Sequence, residues 1–242
     1  MRPENRASGQ KPPSFIERAR RAQIIESAME TFMELGYAGT SLARIAERAG
    51  ISKGVISYHF AGKTELMEQI VEQVYRDIAQ FVVPRTEKET TAAGALRANI
   101  RAVAEYMRDH RAHLLALGEI FNNLRTPDGR PRYGVAFNEP IYEGREELFR
   151  RGQRSGEFRS FDTRVMSVTV QAAIDHMFAY WVTHPDHDLE AHADELADLF
   201  EHATRAGHPG EHDRGRGVGR ALVREVLLVH ELPAGPVRAV LV

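Results

Sequence analysis

The residues best suited to reading a phosphate-lined groove fall in one short run, Lys53-Gly54-Val55-Ile56-Ser57-Tyr58-His59. Lys53 can offer ammonium donors to a base edge or a phosphate, Gly54 permits close backbone approach, and Val55 can touch a thymine methyl. Ser57 donates or accepts, and Tyr58 and His59 can bond phosphate oxygens. Lys63, beside the start of the next helical pattern, adds charge at a terminus already favourable to anions. The alternative is an ordinary helical hairpin whose tyrosine and histidine complete a small core.

Such a run needs elements to hold it. Ser41 precedes Leu42, Ile45, Ala46 and Ala49, apolar or small residues at helical spacing, and its hydroxyl can cap the first amides. Gly50 stops that helix because glycine accepts the left-handed conformation, and Ile51 folds back as an apolar plug. Ser52 caps the next helix, which has about two turns and is too short to stand alone in water. It must lean on its neighbours through Ile56 and Phe60. Two short helices joined by so tight a turn predict a helix-turn-helix.

At this point the chain resembles the tetracycline-repressor (TetR) family of transcriptional regulators, over roughly Ser14 to Gln69. The resemblance rests on FMELGYAGTS at the end of a long first helix, the IAERAGISKG turn, SYHF, and GKTEL at the entry to a connecting helix. It implies DNA contact by Ser41, Arg44, Lys53, Gly54, Val55, Ser57, Tyr58, His59 and Lys63. Many members have an aromatic residue where Ser57 stands and a polar one where Val55 stands, so base preference does not carry over.

At 242 residues and 43% hydrophobic content the chain can fill one large or two modest domains. It has no cysteine, which excludes disulfides and thiolate chemistry, and no apolar run of membrane-spanning length or cleavable leader. The sequence therefore predicts a soluble, cytoplasmic protein. Charge is uneven: residues 1–63 carry 10 Lys+Arg against 6 Asp+Glu, and the remainder 22 against 28. The basic end matches a polyanion partner whose binding weakens with salt.

The predicted fold is all-α: a flexible arm over residues 1–13, a three-helix helix-turn-helix domain over 14–62, and a helical regulatory and dimerisation domain over 63–206. An atypical tail occupies 207–242. Ser14 and Glu17 have capping-box spacing, Ile24, Ile25, Ala28, Phe32 and Leu35 make an inner stripe, and Gly36 ends the first helix. Arg18, Arg20 and Arg21 either reach phosphates or are simply solvated. A long amphipathic helix runs from Lys63 to Pro84, followed by helices over Ala92 to Asp109, His110 to Leu124, and Val135 or Pro140 to Gly152. Gln153 to Phe161 is a loop, and the last two helices are Asp162 to Thr183 and Leu189 to Ala206. Those two can pack against the same pair of a second copy, as the resemblance implies, or serve as an internal core face.

Four other constellations weigh less. His184, His187, His192 and His202 with Asp186, Asp188 and Glu195 have no closed ligand template, and no metal or cofactor is expected. Glu146 and Glu147 are adjacent and point in different directions, so a surface role is expected. Met107, Leu114, Phe121, Phe137, Met166, Gln171 and Trp181, with His176 and Phe178, are plain core or the wall of a cavity. The resemblance implies such a cavity, and these side chains would suit a largely apolar effector. Arg214 to Gly219 resembles the pyrophosphate loop of GCN5-type acetyltransferases but lacks the preceding strand and sheet, so no enzyme is expected. The expected function is a ligand-responsive repressor that binds a palindromic operator as a homodimer. A non-switching or activating DNA binder is the alternative, and a tail-borne acyltransferase a remote one.

Overall fold

Side-chain caps set where most of the helices begin. In the computed structural model, which describes residues 14–207, Ser14 opens α1 (Phe15–Gly39). Its hydroxyl accepts from the Glu17 amide at 3.2 Å, and the Glu17 carboxylate accepts from the Ser14 amide at 2.6 Å. These bonds hold the Glu17 carboxyl below its ordinary range. Ser41 caps α2 (Leu42–Arg48), Ser52 caps α3 (Lys53–His59), and Thr91 caps α5 (Ala92–Asp109). Asp162 and Asp188 cap α8 (Thr163–Thr183) and α9 (Leu189–Thr204). Between these lie α4 (Lys63–Thr86), α6 (Arg111–Asn123) and α7 (Glu139–Ser155), the last entered through a 3-10 turn, Val135–Asn138. The only β-type pairings among the described residues are two single-residue bridges, Arg125 with Pro131 and Phe158 with Arg205.

Two apolar cores result. The first joins α1, α2, α3, the first half of α4 and the end of α6 through Ile24, Phe32, Ile45, Ile56, Phe60, Ile70 and Ile120. The second surrounds α5 and is closed by α7, α8 and α9 through Ile100, Tyr106, Phe149, Ile174 and Phe200. Ile78 on α4 and Leu117 on α6 pack against both. The first core therefore draws on residues well beyond 62, and α4 and α6 link the two cores.

The helices depart from the sequence reading in three places. Helix α4 runs through Pro84 to Thr86; the proline's missing bond would reach Gln80, which is exposed, so water can satisfy that carbonyl. Helix α7 continues past Gly152 to Ser155 before Gly156 ends it at φ 78°. Glu146 is buried, not a surface residue: it accepts from Arg150 one turn on and from Arg164 of α8 at 3.0 Å. The expected arm at 1–13 and the tail from 208, with its glycine-arginine loop, lie outside the described residues.

Candidate nucleic-acid interface

The turn between α2 and α3 is fixed by backbone bonds. Gly50 sits at φ 64°, its amide donates to the Glu47 carbonyl at 3.2 Å, and the Ile51 amide donates to the Ala46 carbonyl at 3.0 Å. This pair is a Schellman motif, which satisfies carbonyls that the end of α2 leaves open. Ser52 then accepts from the Val55 amide at 3.4 Å and starts α3. Gln23 of α1 braces the turn, its side-chain amide donating to the Ala49 carbonyl at 3.0 Å.

Ile56 and Phe60 are buried, so α3 is held from behind. Its other edge presents Lys53, Gly54, Ser57 and Tyr58 outward, with Tyr58 75% exposed; Val55 and His59 are half-buried beside them. Ser41 and Arg44 are exposed at the start of α2, where Ser41 accepts from the Arg44 amide at 3.3 Å. Eight of the nine expected contact residues thus line one short stretch of α2 and α3, six of them outward and two half-buried.

Lys63, expected at the DNA surface, is half-buried beside Tyr37. Its ammonium donates to the Tyr37 carbonyl at 2.9 Å and the Thr40 carbonyl at 2.8 Å, and lies 4.1 Å from the centre of the Tyr37 ring. Two of its three donors are therefore engaged inside the protein, and burial pushes its pKa down. Arg21 is likewise a brace: it stacks 4.3 Å over Phe60, donates to the His59 carbonyl, and reaches Gln69 at 3.2 Å.

Residues 24–70, from within α1 to within α4, match the family model described as bacterial regulatory proteins, tetR family. Over these residues the chain is similar to the TetR family. BetI 1 of Chromohalobacter salexigens, an HTH-type transcriptional regulator, is 35% identical over 94 residues, 39% of this chain and 45% of that protein. The chain thus spans about half the length of the curated relatives it matches. Among solved structures, the TetR-family regulator PfmR of Thermus thermophilus is 24% identical with a TM-score of 0.63, covering 74% of this chain and 97% of that one. FadR of Bacillus subtilis in complex with stearoyl-CoA is 21% identical with a TM-score of 0.64, covering 74% and 96%. Both share the fold well beyond residues 24–70.

In the helical body, four of the residues expected to line an effector cavity, Met107, Leu114, Met166 and Trp181, lie in or against the second core. Met107 and Leu114 are buried in the second core. Phe121 and Phe137 belong to an aromatic cluster with Tyr75 and Tyr133. Met166 lines a surface groove of about 410 Å³ between α8 and α9, and Trp181 lies under Arg111 at the other end of α8. Gln171 alone of the set joins a polar cluster, bonding Arg145 at 3.1 Å and Asp175 at 2.8 Å. Sequence reasoning missed Arg145, because a single arginine in the charged stretch GREELFRRGQR looks solvated until α8 covers it. The expected histidine set reduces to one pair, His187 Nε2 and His192 Nδ1 at 2.9 Å, and among the described residues no three potential ligands converge on a metal position.

Besides the first core, a chain of hydrogen bonds ties α6 and α4 to the start of α2. Gly36 breaks α1 at φ 62°, and the amide of Tyr37, which follows it, donates to Glu119 Oε2 of α6 at 2.9 Å. The Tyr37 and Thr40 carbonyls are those held by Lys63 at the start of α4, and Thr40 precedes the Ser41 cap of α2. No helix among the described residues is long and apolar enough to cross a membrane.

Proposed function

We propose that this chain is a DNA-binding transcription regulator, a ligand-responsive repressor that binds a palindromic operator as a homodimer in the cytoplasm. The observation that carries the reading is the outward edge of α3, Lys53, Gly54, Ser57 and Tyr58, braced from behind within a TetR-family domain. Ser41, Arg44, Val55 and His59 complete the contact surface. Lysine and tyrosine supply phosphate contacts that fix register, and Gly54 and Val55 approach base edges.

Two readers one DNA turn apart, or a multiple of it, require a second copy. The surface assigned to it is the outer face of α8 and α9, where Val165 and Leu199 are each 62% exposed and Val168 and Tyr180 also face outward. An effector in the body acts by moving α6 and α4, and Glu119 and Lys63 carry that movement to the base of α2. The FadR complex with stearoyl-CoA supports a small-molecule effector, as do the regulators named BetI for the transcriptional role. No catalytic step is assigned to the described residues.

Selection of bound duplexes from a random pool at low ionic strength tests the reading. A palindromic consensus is expected, bound with a steep salt dependence and weakened by Tyr58→Ala. A protein that retained no duplex, or a Tyr58→Ala variant with unchanged affinity and salt dependence, would overturn it.

A further inference from the structure

One charge in the helical body stands apart from the ion pairs that lace its surface. Arg145 on α7 is nine-tenths buried, at 8% exposure. It donates to the Ser167 carbonyl at 3.2 Å and to Gln171 Oε1 at 3.1 Å, both neutral acceptors. Among the described residues no carboxylate lies within ion-pair distance of it; the adjacent Glu146 is taken by Arg150 and Arg164. Asp175 is not in ion-pair contact with it but acts on it electrostatically, and accepts from the Gln171 amide at 2.8 Å.

A guanidinium carries five N–H donors in a planar fork, and two are used here. Burial pushes the pKa of Arg145 down to about 10, so the group is still a cation at neutral pH. A buried cation without a directly paired anion is costly, and a plain tie between α7 and α8 needs only a neutral amide. The surroundings are aromatic. Tyr142 is buried one turn before Arg145 on the same face of α7, and Tyr75 on α4 donates to Asn138, just before α7, at 3.0 Å. Tyr75 in turn packs edge-on against Phe137, with ring centres 5.0 Å apart.

We propose that Arg145 is the anion-binding group of the effector site, where it takes the carboxylate of a small organic acid whose apolar part lies toward Tyr142, Tyr75 and Phe137. The proposal rests on reading the helical body as effector-binding. The guanidinium fork matches a carboxylate in two parallel bonds, and an anion there supplies the counter-charge that the fold leaves to Asp175 at one remove.

The test uses the full chain and three probe sets: benzoate, phenylacetate and octanoate; their primary amides; and benzylamine with octylamine. Binding is read from the fluorescence of Trp181, the single tryptophan, and from the melting midpoint. Carboxylates are expected to bind saturably and about tenfold or more tighter than the amides. Arg145→Gln should weaken them by about 30-fold or more, with Arg145→Lys between the two. The carboxylate-to-amide comparison needs no variant, so it decides even where Arg145→Gln fails to fold. Equal binding of acids and amides, or a preference for amines that puts Asp175 in the recognising role, overturns the anion assignment and leaves the effector site standing. Silence from all three sets overturns both, whereas the duplex selection reports on the reader separately.

Discussion

The reader and the helical body are built at different ranges along the chain. In the reader, the capping bonds that start α2 and α3 join Ser41 to Arg44 and Ser52 to Val55, each three residues apart, with longer-range braces from Gln23 and Arg21 of α1 behind them. In the body they join Arg145 to Ser167 across 22 residues and Arg97 to Glu201 across 104. A surface specified by local caps and one glycine turn is written in a single window of sequence. A site assembled from α4, α7 and α8 is written only in how those helices meet.

The strongest way to break this comparison is to exchange small residues in the two regions. A Cβ at Gly152, where α7 meets α5 and the loop after it, would overlap the Phe158 ring and lie 2.9 Å from Ala92 Cβ. Gly152→Ala should cost about 1–3 kcal/mol by overpacking, seen as a lower melting midpoint. A Cβ at Gly54 meets nothing nearer than Ser52 Oγ at 3.6 Å, so Gly54→Ala should melt like the parent and lose operator affinity. Equal loss of stability in both would show that α3 is packed as tightly as the body.

That contrast also explains what was legible. Ser14, Ser41 and Ser52 were readable as caps because a cap and the amide that donates to it lie within one helical turn. The outward edge of α3 was readable because Ile56 and Phe60 mark its inner side. The carbonyl contacts of Lys63 were not legible because its two partners lie 23 and 26 residues earlier, on a stretch that follows the break at Gly36. Glu146 was misread as surface because its burial comes from α8, which supplies Arg164 18 residues on. The effector set could not be sorted from sequence because hydrophobic type marks core and cavity wall alike, and only packing separates Met107, in the second core, from Gln171, in a polar cluster.

The junction offers a sharper test, since it belongs to both regions. Glu119→Ala leaves the Tyr37 amide without its acceptor and should cost about 1 kcal/mol. If Glu119 transmits the state of the body, the variant will bind operator more weakly than its small stability loss explains, and added effector will change that affinity less. Unchanged affinity, measured by titration on the selected duplex, would leave Glu119 as a helix-end cap alone.

On the reader, Lys53→Ala should leave the unfolding free energy within about 0.5 kcal/mol of the parent, because Lys53 is exposed at the start of α3. Its effect belongs to DNA: with one phosphate no longer neutralised, the slope of log affinity against log salt should shrink by about 1, uniformly across duplex sequences. A sequence-dependent loss would instead place the ammonium at a base edge.

The smallest expected effect lies on the far side of the body, where Arg97 of α5 bonds Asp198 and Glu201 of α9. The guanidinium holds both carboxyls below their ordinary range. A depressed carboxylate contributes stability above its unfolded pKa, near ~4, and loses it as pH falls through the lower folded value. The parent should therefore lose melting temperature on acidification more steeply than Arg97→Gln, with the two converging at low pH. Asp198 is half-exposed, so salt will shrink the difference. Operator affinity at neutral pH should be the same in both proteins, since the pair sits on α5 and α9, away from the bonds that link α6 to the reader. A loss of affinity in Arg97→Gln would mean that the α5–α9 contact is coupled to α3, and the separation of a locally written reader from a body assembled at long range would fail there.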